Sequence, residues 1–273
     1  AAIDAAIAYF RLSLQDKDIL SRKSAADYRP MTVSKELSGK YCGDNMYQLL
    51  ARQAISRLSG YFIVNPVLAE KIQTEILSIY DGLIDFYQQQ DMTDARLLLM
   101  LDKLNYQGND ISRGGVNEKL RLTDEQVITL LKQWAEEFSA SPLCGEVYCQ
   151  LAERYDRMQD YTAKLHAAQT GLKKYPQSPS ANDLKEQAAE VLTPRLMVEI
   201  PFAYPAREVD LKVKYRNLTG LTVELYRMNL PVTSNILERE ITASTVSRYG
   251  KLVGTRHYQL AATPDYMETD TLL

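Results

Sequence analysis

Apolar side chains recur every three or four residues along the first two thirds of this chain and every second residue along the last third. The first spacing lines one face of an α-helix and the second lines one face of a strand. Ile3, Ile7, Phe10 and Leu14 predict a helix within residues 1–20. Residues 21–43, with Pro30, Gly39 and Gly43, predict a loop with at most a short helix. Asp44 or Asn45 is placed to cap a helix carrying Tyr47, Leu50, Ala54, Leu58 and Phe62. Asn65-Pro66 predicts the start of a long helix, because the first-turn N–H that proline lacks has no intrahelical partner anyway. Its stripe is Leu68, Ile72, Ile76, Ile79, Leu83, Phe86 and Tyr87. Thr93 opens another helix with Leu97, Leu98, Met100, Leu101 and Leu104, and a turn-rich loop follows from Gln107 to Gly115.

Thr123-Asp-Glu-Gln126 has the form of a capping box, in which the two side chains satisfy two free backbone N–H groups. The helix it starts runs to about Ser139, with Val127, Leu130, Leu131, Trp134 and Phe138 on one side. Ser141-Pro142 breaks that helix and caps the next, which carries Val147, Tyr148, Leu151, Ala152 and Tyr155. Asp160 opens a further helix with Tyr161, Leu165, Ala168 and Leu172, and Ser180 opens one that ends near Leu192. From Gly145 to Pro176 the small and large residues fall at or near the offsets of a tetratricopeptide repeat of about 34 residues. Lys164 departs from it by standing where the repeat has a small residue. Residues 123–142 read as the second helix of a preceding, degenerate unit, with Trp134 as its large residue. Such repeats bury their faces only against neighbours, so the helices at 44–106 are expected to stack on them.

After Pro194 the period is two. Leu196, Val198 and Ile200 alternate with Met197 and Glu199, then Val209, Leu211, Val213 and Tyr215 with Asp210, Lys212 and Lys214. Leu221, Val223 and Leu225 follow across Asn217–Gly220, which predicts a hairpin of half-buried strands. Residues 230–250 have no clear period, Thr255–Ala261 is a candidate strand, and a polar tail follows Thr263-Pro264. The fold class expected is therefore multidomain, α then β. Residues 1–193 form a tetratricopeptide-like helical array, and residues 194–273 an incomplete antiparallel β-sandwich.

Composition narrows the function. The net charge of −3 and a pI near 5.6 offer no clustered basic face for nucleic acid or an anionic membrane. No apolar run reaches the ~20 residues of a membrane span. Eighteen tyrosines against five phenylalanines and one tryptophan suit half-buried helix faces and interfaces, since the ring packs while the hydroxyl reaches a polar partner. Cys42, Cys144 and Cys149 make no disulfide framework. The chain opens at Ala1 without Met and carries no signal peptide, so it reads as an internal fragment.

No catalytic, cofactor-binding or metal-ligating set is assigned. His166 and His257 have no second ligand at metal spacing. Glu136-Glu137 and Glu238 with Glu240 read as solvated charge. Gly108 and Gly114-Gly115 lack the Lys-Ser/Thr of a phosphate loop. Ser59-Gly60 is no nucleophile elbow, and Lys173-Lys174 is too short for a nucleic-acid patch. Arg239, Glu240, Arg248 and His257 form no pattern. The chain is expected not to be an enzyme.

The order of parts resembles the large α2-macroglobulins of Bacteroidota. The residues that carry the resemblance are Pro142-Leu-Cys-Gly-Glu-Val-Tyr-Cys-Gln-Leu-Ala152, Gly171-Leu-Lys-Lys-Tyr-Pro176, Pro194-Arg-Leu-Met-Val-Glu199 and Val213-Lys-Tyr-Arg-Asn-Leu-Thr-Gly-Leu-Thr-Val-Glu-Leu-Tyr-Arg227. It covers roughly residues 70–270. It implies an N-terminal helical region followed by the first macroglobulin-type sandwich, here cut short. It also implies a cell-envelope or periplasmic location, and protein partners such as proteases or envelope proteins. Members that trap proteases use a Cys–Gln thioester in a Cys-Gly-Glu-Gln motif. Cys144-Gly-Glu-Val147 has Val where the acyl-donating Gln is needed, so this stretch implies no thioester. The expected role is a non-catalytic spacer or docking region of a protease inhibitor. The alternative is a stand-alone repeat adaptor that grips a peptide.

Overall fold

A computed structural model describes residues 2–28, 45–61, 65–108, 120–199, 210–229 and 242–273. Its helices are α1 (Ala2–Leu14), α2 (Lys17–Leu20), α3 (Met46–Ser59), α4 (Pro66–Gln89), α5 (Thr93–Gly108), α6 (Asp124–Glu137), α7 (Cys144–Arg157), α8 (Tyr161–Lys174) and α9 (Ala181–Leu192), with a 3-10 turn at Ala25–Tyr28. Then come β1 (Arg195–Glu199), β2 (Lys212–Arg216), β3 (Gly220–Met228), α10 (Ala243–Tyr249), β4 (Gly250–Gln259) and β5 (Thr269–Leu272). The described chain is mostly helical and ends in a small antiparallel region. It separates into two compact units, Ala1–Ala188 and Ala189–Leu273.

Four helices of the first unit, α3, α4, α6 and α8, start where short polar side chains catch free N–H groups. Asn45 accepts from the Gln48 N–H, Asn65 from those of Val67 and Leu68, and Asp160 from that of Ala163. The Thr123 box is complete, with the Gln126 N–H at 3.3 Å from Thr123 Oγ1 and the Thr123 N–H at 2.9 Å from Gln126 Oε1. The start of α7 differs from expectation. Its N-cap is Leu143, with no capping side chain, and Ser141 Oγ instead accepts from the Leu143 N–H at 3.1 Å. That serine also donates to Asp94 Oδ1 at 2.5 Å, so it ties α7's entry to α5.

Helices adjacent in sequence pack on one another: α3 on α4, α4 on α5, α5 on α6, α6 on α7 and α7 on α8. The core of the first half joins Ile7, Leu58, Ile76, Leu83, Tyr87 and Leu99. Val127, Leu131, Leu143, Val147, Ala152, Ala168 and Leu184 are buried among α6 to α9. Arg11 locks α1 to α4, its Nε donating to Glu75 Oε1 at 2.9 Å and its Nη2 to Glu75 Oε2 at 2.5 Å.

The second unit holds a three-stranded sheet in the order β1-β2-β5 and a two-stranded sheet β3-β4, all antiparallel. The expected hairpin between 209–215 and 221–226 does not form. β2 pairs with β1 and β5, while β3 pairs with β4, so Asn217–Gly220 joins two sheets. Its residues are used up by other bonds. Asn217 adopts a left-handed φ of 57°. Its side chain donates to the carbonyls of Val191 at 2.7 Å and Thr193 at 3.4 Å, and its N–H donates to Thr263 Oγ1 at 3.0 Å.

A second correction concerns the polar tail, of which Thr269–Leu272 is a strand laid on β2 from Lys212↔Leu272 to Tyr215↔Thr269. β1 lies where Leu196 and Val198 alternate with Met197 and Glu199, and all five of its residues are exposed. Val213, Tyr215 and Leu260 make the small core of this unit, with Leu211, Leu218, Leu221 and Leu273 against it. In β4 the residue Val253 stands between the pairs Leu225↔Gly254 and Tyr226↔Leu252, a bulge that has no partner in β3. Ile200, Val209, Phe62 and the loop at 109–115 lie outside the described residues.

Candidate functional site

Two close approaches in α6–α9 are permitted by glycine. A Cβ at Gly145 would sit 2.4 Å from Ser178 Cβ, and one at Gly171 would sit 2.6 Å from Tyr148 Cβ and 3.0 Å from Leu184 Cδ1. No real side chain tolerates such distances, so a hydrogen at these positions sets the spacing of α7, α8 and the turn before α9. Lys164, the departure in the repeat pattern, is only 2% exposed. Its Nζ reaches Asp156 Oδ1 at 2.6 Å, which meets the requirement that a buried ammonium be paired.

Beside the Gly145 crossing, α7 and α9 meet across a polar seam. Glu146, Cys149 and Glu153 follow one another along α7 at helical spacing. Gln187 of α9 donates to Cys149 Sγ at 3.3 Å. Burial pushes the Cys149 thiol up to about 12, with the charges of Glu153, Glu146 and Asp183 adding to it. Such a thiol stays protonated at neutral pH and is a poor nucleophile. Burial also raises Cys144, whose thiol faces the Ala135 carbonyl at 3.7 Å. Glu146 is held above the usual carboxylate range, by loss of water first, with the charges of Asp183 and Glu153 adding to it. Its Oε1 is buried without a hydrogen-bond partner.

At the opposite end of α7, Arg154 is 2% exposed and its Nη1 donates to Asp124 Oδ1 at 3.2 Å. Burial is the main force lowering its pKa. Its guanidinium lies where a side chain at 108 would fall, 2.8 Å from a Cβ there, so Gly108 leaves room for it. The cleft of about 520 Å³ beside it sets Arg121 and Arg157 against Asp124 and Glu125.

The residues set aside on sequence are scattered. His166 is exposed on α8. His257 is exposed on β4, 2.9 Å from Thr222 Oγ1. Glu136 and Glu137 end α6 in solvent, and Glu137 pairs with Arg96 at 2.6 Å. Lys174 stands 5.7 Å above the Tyr148 ring, Arg248 5.3 Å from that of Tyr249, and Ser59 ends α3. Gly114, Gly115, Glu238, Arg239, Glu240 and Cys42 lie outside the described residues. Among the described residues no three His, Cys, Asp or Glu side chains converge as metal ligands, Cys144 and Cys149 are free thiols, and no helix is long and apolar enough to cross a membrane. Sequence reading missed the seam of Glu146, Glu153, Asp183 and Gln187. Its one signal was the spacing of 146, 149 and 153 along α7.

Comparison with protein-family models, with curated proteins and with solved structures finds no match.

Proposed function

We propose that this chain is a non-catalytic protein-interaction and spacer region, the N-terminal part of an α2-macroglobulin-like envelope protein that inhibits or traps proteases. The observation that carries the reading is the join. A helical pair spaced by Gly145 and Gly171, as a tetratricopeptide-like unit requires, is followed within about twenty residues by strands in two antiparallel sheets. Two small sheets with a buried cluster of Val213, Tyr215 and Leu260 are what a macroglobulin-type sandwich would contribute here. The reading also draws on the sequence resemblance over residues 194–227. The thiols support a binding role over a reacting one, since both are buried and raised.

The test is an immunoblot of fractionated source cells with antibody raised against this chain. A band several times heavier than 31.0 kDa in the periplasmic or membrane fraction is expected. A cytoplasmic band near that mass overturns the reading and favours a stand-alone repeat adaptor.

A further inference from the structure

β1 is an edge strand: β2 lies along one side of it, and among the described residues none pairs with the other side. Leu196 stands opposite the buried Tyr215, and Val198 opposite the buried Val213. Both therefore lie on the face of the sheet that carries the unit's core. They are exposed all the same, as is Met197 on the other face. The apolar row of β2 runs on into β1 and stops at an open edge. Edge strands that stay single are commonly guarded by a lysine, a proline or a bulge within them. β1 has none of these between Arg195 and Glu199, and its register against β2 is unbroken.

The order Arg195-Leu-Met-Val-Glu199 is its own complement. Laid antiparallel on a second copy about a two-fold axis at Met197, Arg195 falls opposite Glu199 of that copy, Leu196 opposite Val198, and Met197 opposite itself. Cation meets anion and apolar meets apolar at every position, with Cβ atoms about 5 Å apart. A slide of two residues loses both ion pairs, and a slide of one turns the two core faces to opposite sides. Within its own chain Arg195 reaches Glu190 at 3.4 Å and Glu268 at 3.6 Å, and Glu199 reaches Lys212 at 3.7 Å. Such long, exposed pairs hold their charges weakly and leave them able to turn to a partner. We propose that β1 is a self-association edge, which pairs antiparallel with β1 of a second copy and joins the two three-stranded sheets into one. Five residues from each copy make a small contact, so the dimer is weak and reversible. Nothing in this pairing depends on the macroglobulin reading.

Sedimentation equilibrium of the full chain from about 10 μM to about 1 mM is expected to show dimers that grow with concentration. Glu199→Arg sets Arg195 against a second arginine and should weaken the dimer several-fold, while Arg195→Glu added to it exchanges the charges and should restore it. The second arm needs neither charge change. In a Cys42→Ser background, Met197→Cys treated with a short bifunctional maleimide should yield cross-linked dimers, because Met197 faces itself. Leu225→Cys, no less exposed but on β3, should yield few. A chain still monomeric at about 1 mM overturns the proposal. So does a folded Glu199→Arg chain that dimerises as before, a folded exchange variant that fails to recover, or cross-linking no stronger through position 197 than through 225.

Discussion

Leu83 and Tyr87 of α4 are wholly shielded from solvent, whereas Leu196, Met197 and Val198 of β1, no less apolar, keep 47%, 58% and 43% of their surface in water. The contrast follows from how each element finds cover. A helix satisfies its own backbone and needs only a neighbour along one stripe, which the next helix in sequence supplies. A strand needs a partner along at least one edge and cover on at least one face, and those often come from distant parts of the chain. Among the described residues β1 has β2 along one edge, and both of its faces remain open. The helical unit is thus stabilised by its own neighbours, and the β unit rests on a core of Val213, Tyr215 and Leu260.

The widest gap between the two regions should appear on truncating a core side chain. Leu83→Ala is expected to cost about 2–5 kcal/mol, read from urea unfolding followed by Trp134 fluorescence, because a wholly buried leucine leaves a cavity. A cost below about 1 kcal/mol would mean that the helical core is loosely packed. Gly171→Ala should cost about 1–3 kcal/mol in the same assay through overpacking against Tyr148 and Leu184. An exposed helical glycine would instead gain about 0.5–1 kcal/mol on the same change, so the sign alone decides whether the crossing is close. Thr123→Ala removes the box at the start of α6, and a loss of about 1 kcal/mol is expected in thermal unfolding. The smallest effect belongs to β1. Met197→Lys should move stability by no more than about 0.5 kcal/mol, while lowering self-association measured by light scattering. A larger loss would show that this strand is covered in solution.

Four helix starts were readable in the sequence because a cap is a local contact. Asn45, Asn65, Thr123 and Asp160 each bond a backbone group two or three residues on. Strand positions were partly readable for the same reason, since alternation is local. Pairing was not. Nothing near Asn217 in sequence announces that its side chain will bond the carbonyls of Val191 and Thr193, which removes the expected hairpin. Thr269–Leu272 was hidden because a four-residue strand is too short for its alternation to stand out from a polar tail. The seam at Glu146 escaped notice because its like-charged neighbour Asp183 comes from another helix.

The bulge at Val253 acts on the β3-β4 ribbon as a single inserted letter acts on a reading frame. Ahead of it Leu221 and Val223 are the half-buried residues of β3, and beyond it Tyr226 and Met228 are, so odd numbers hand over to even ones at Leu225. Any alignment that scores this strand by strict alternation will assign the wrong face to everything after Leu225. Deleting Val253 should restore the frame at the cost of turning Tyr226 and Met228 outward, so a homologue lacking that residue should carry its apolar side chains at the odd positions instead.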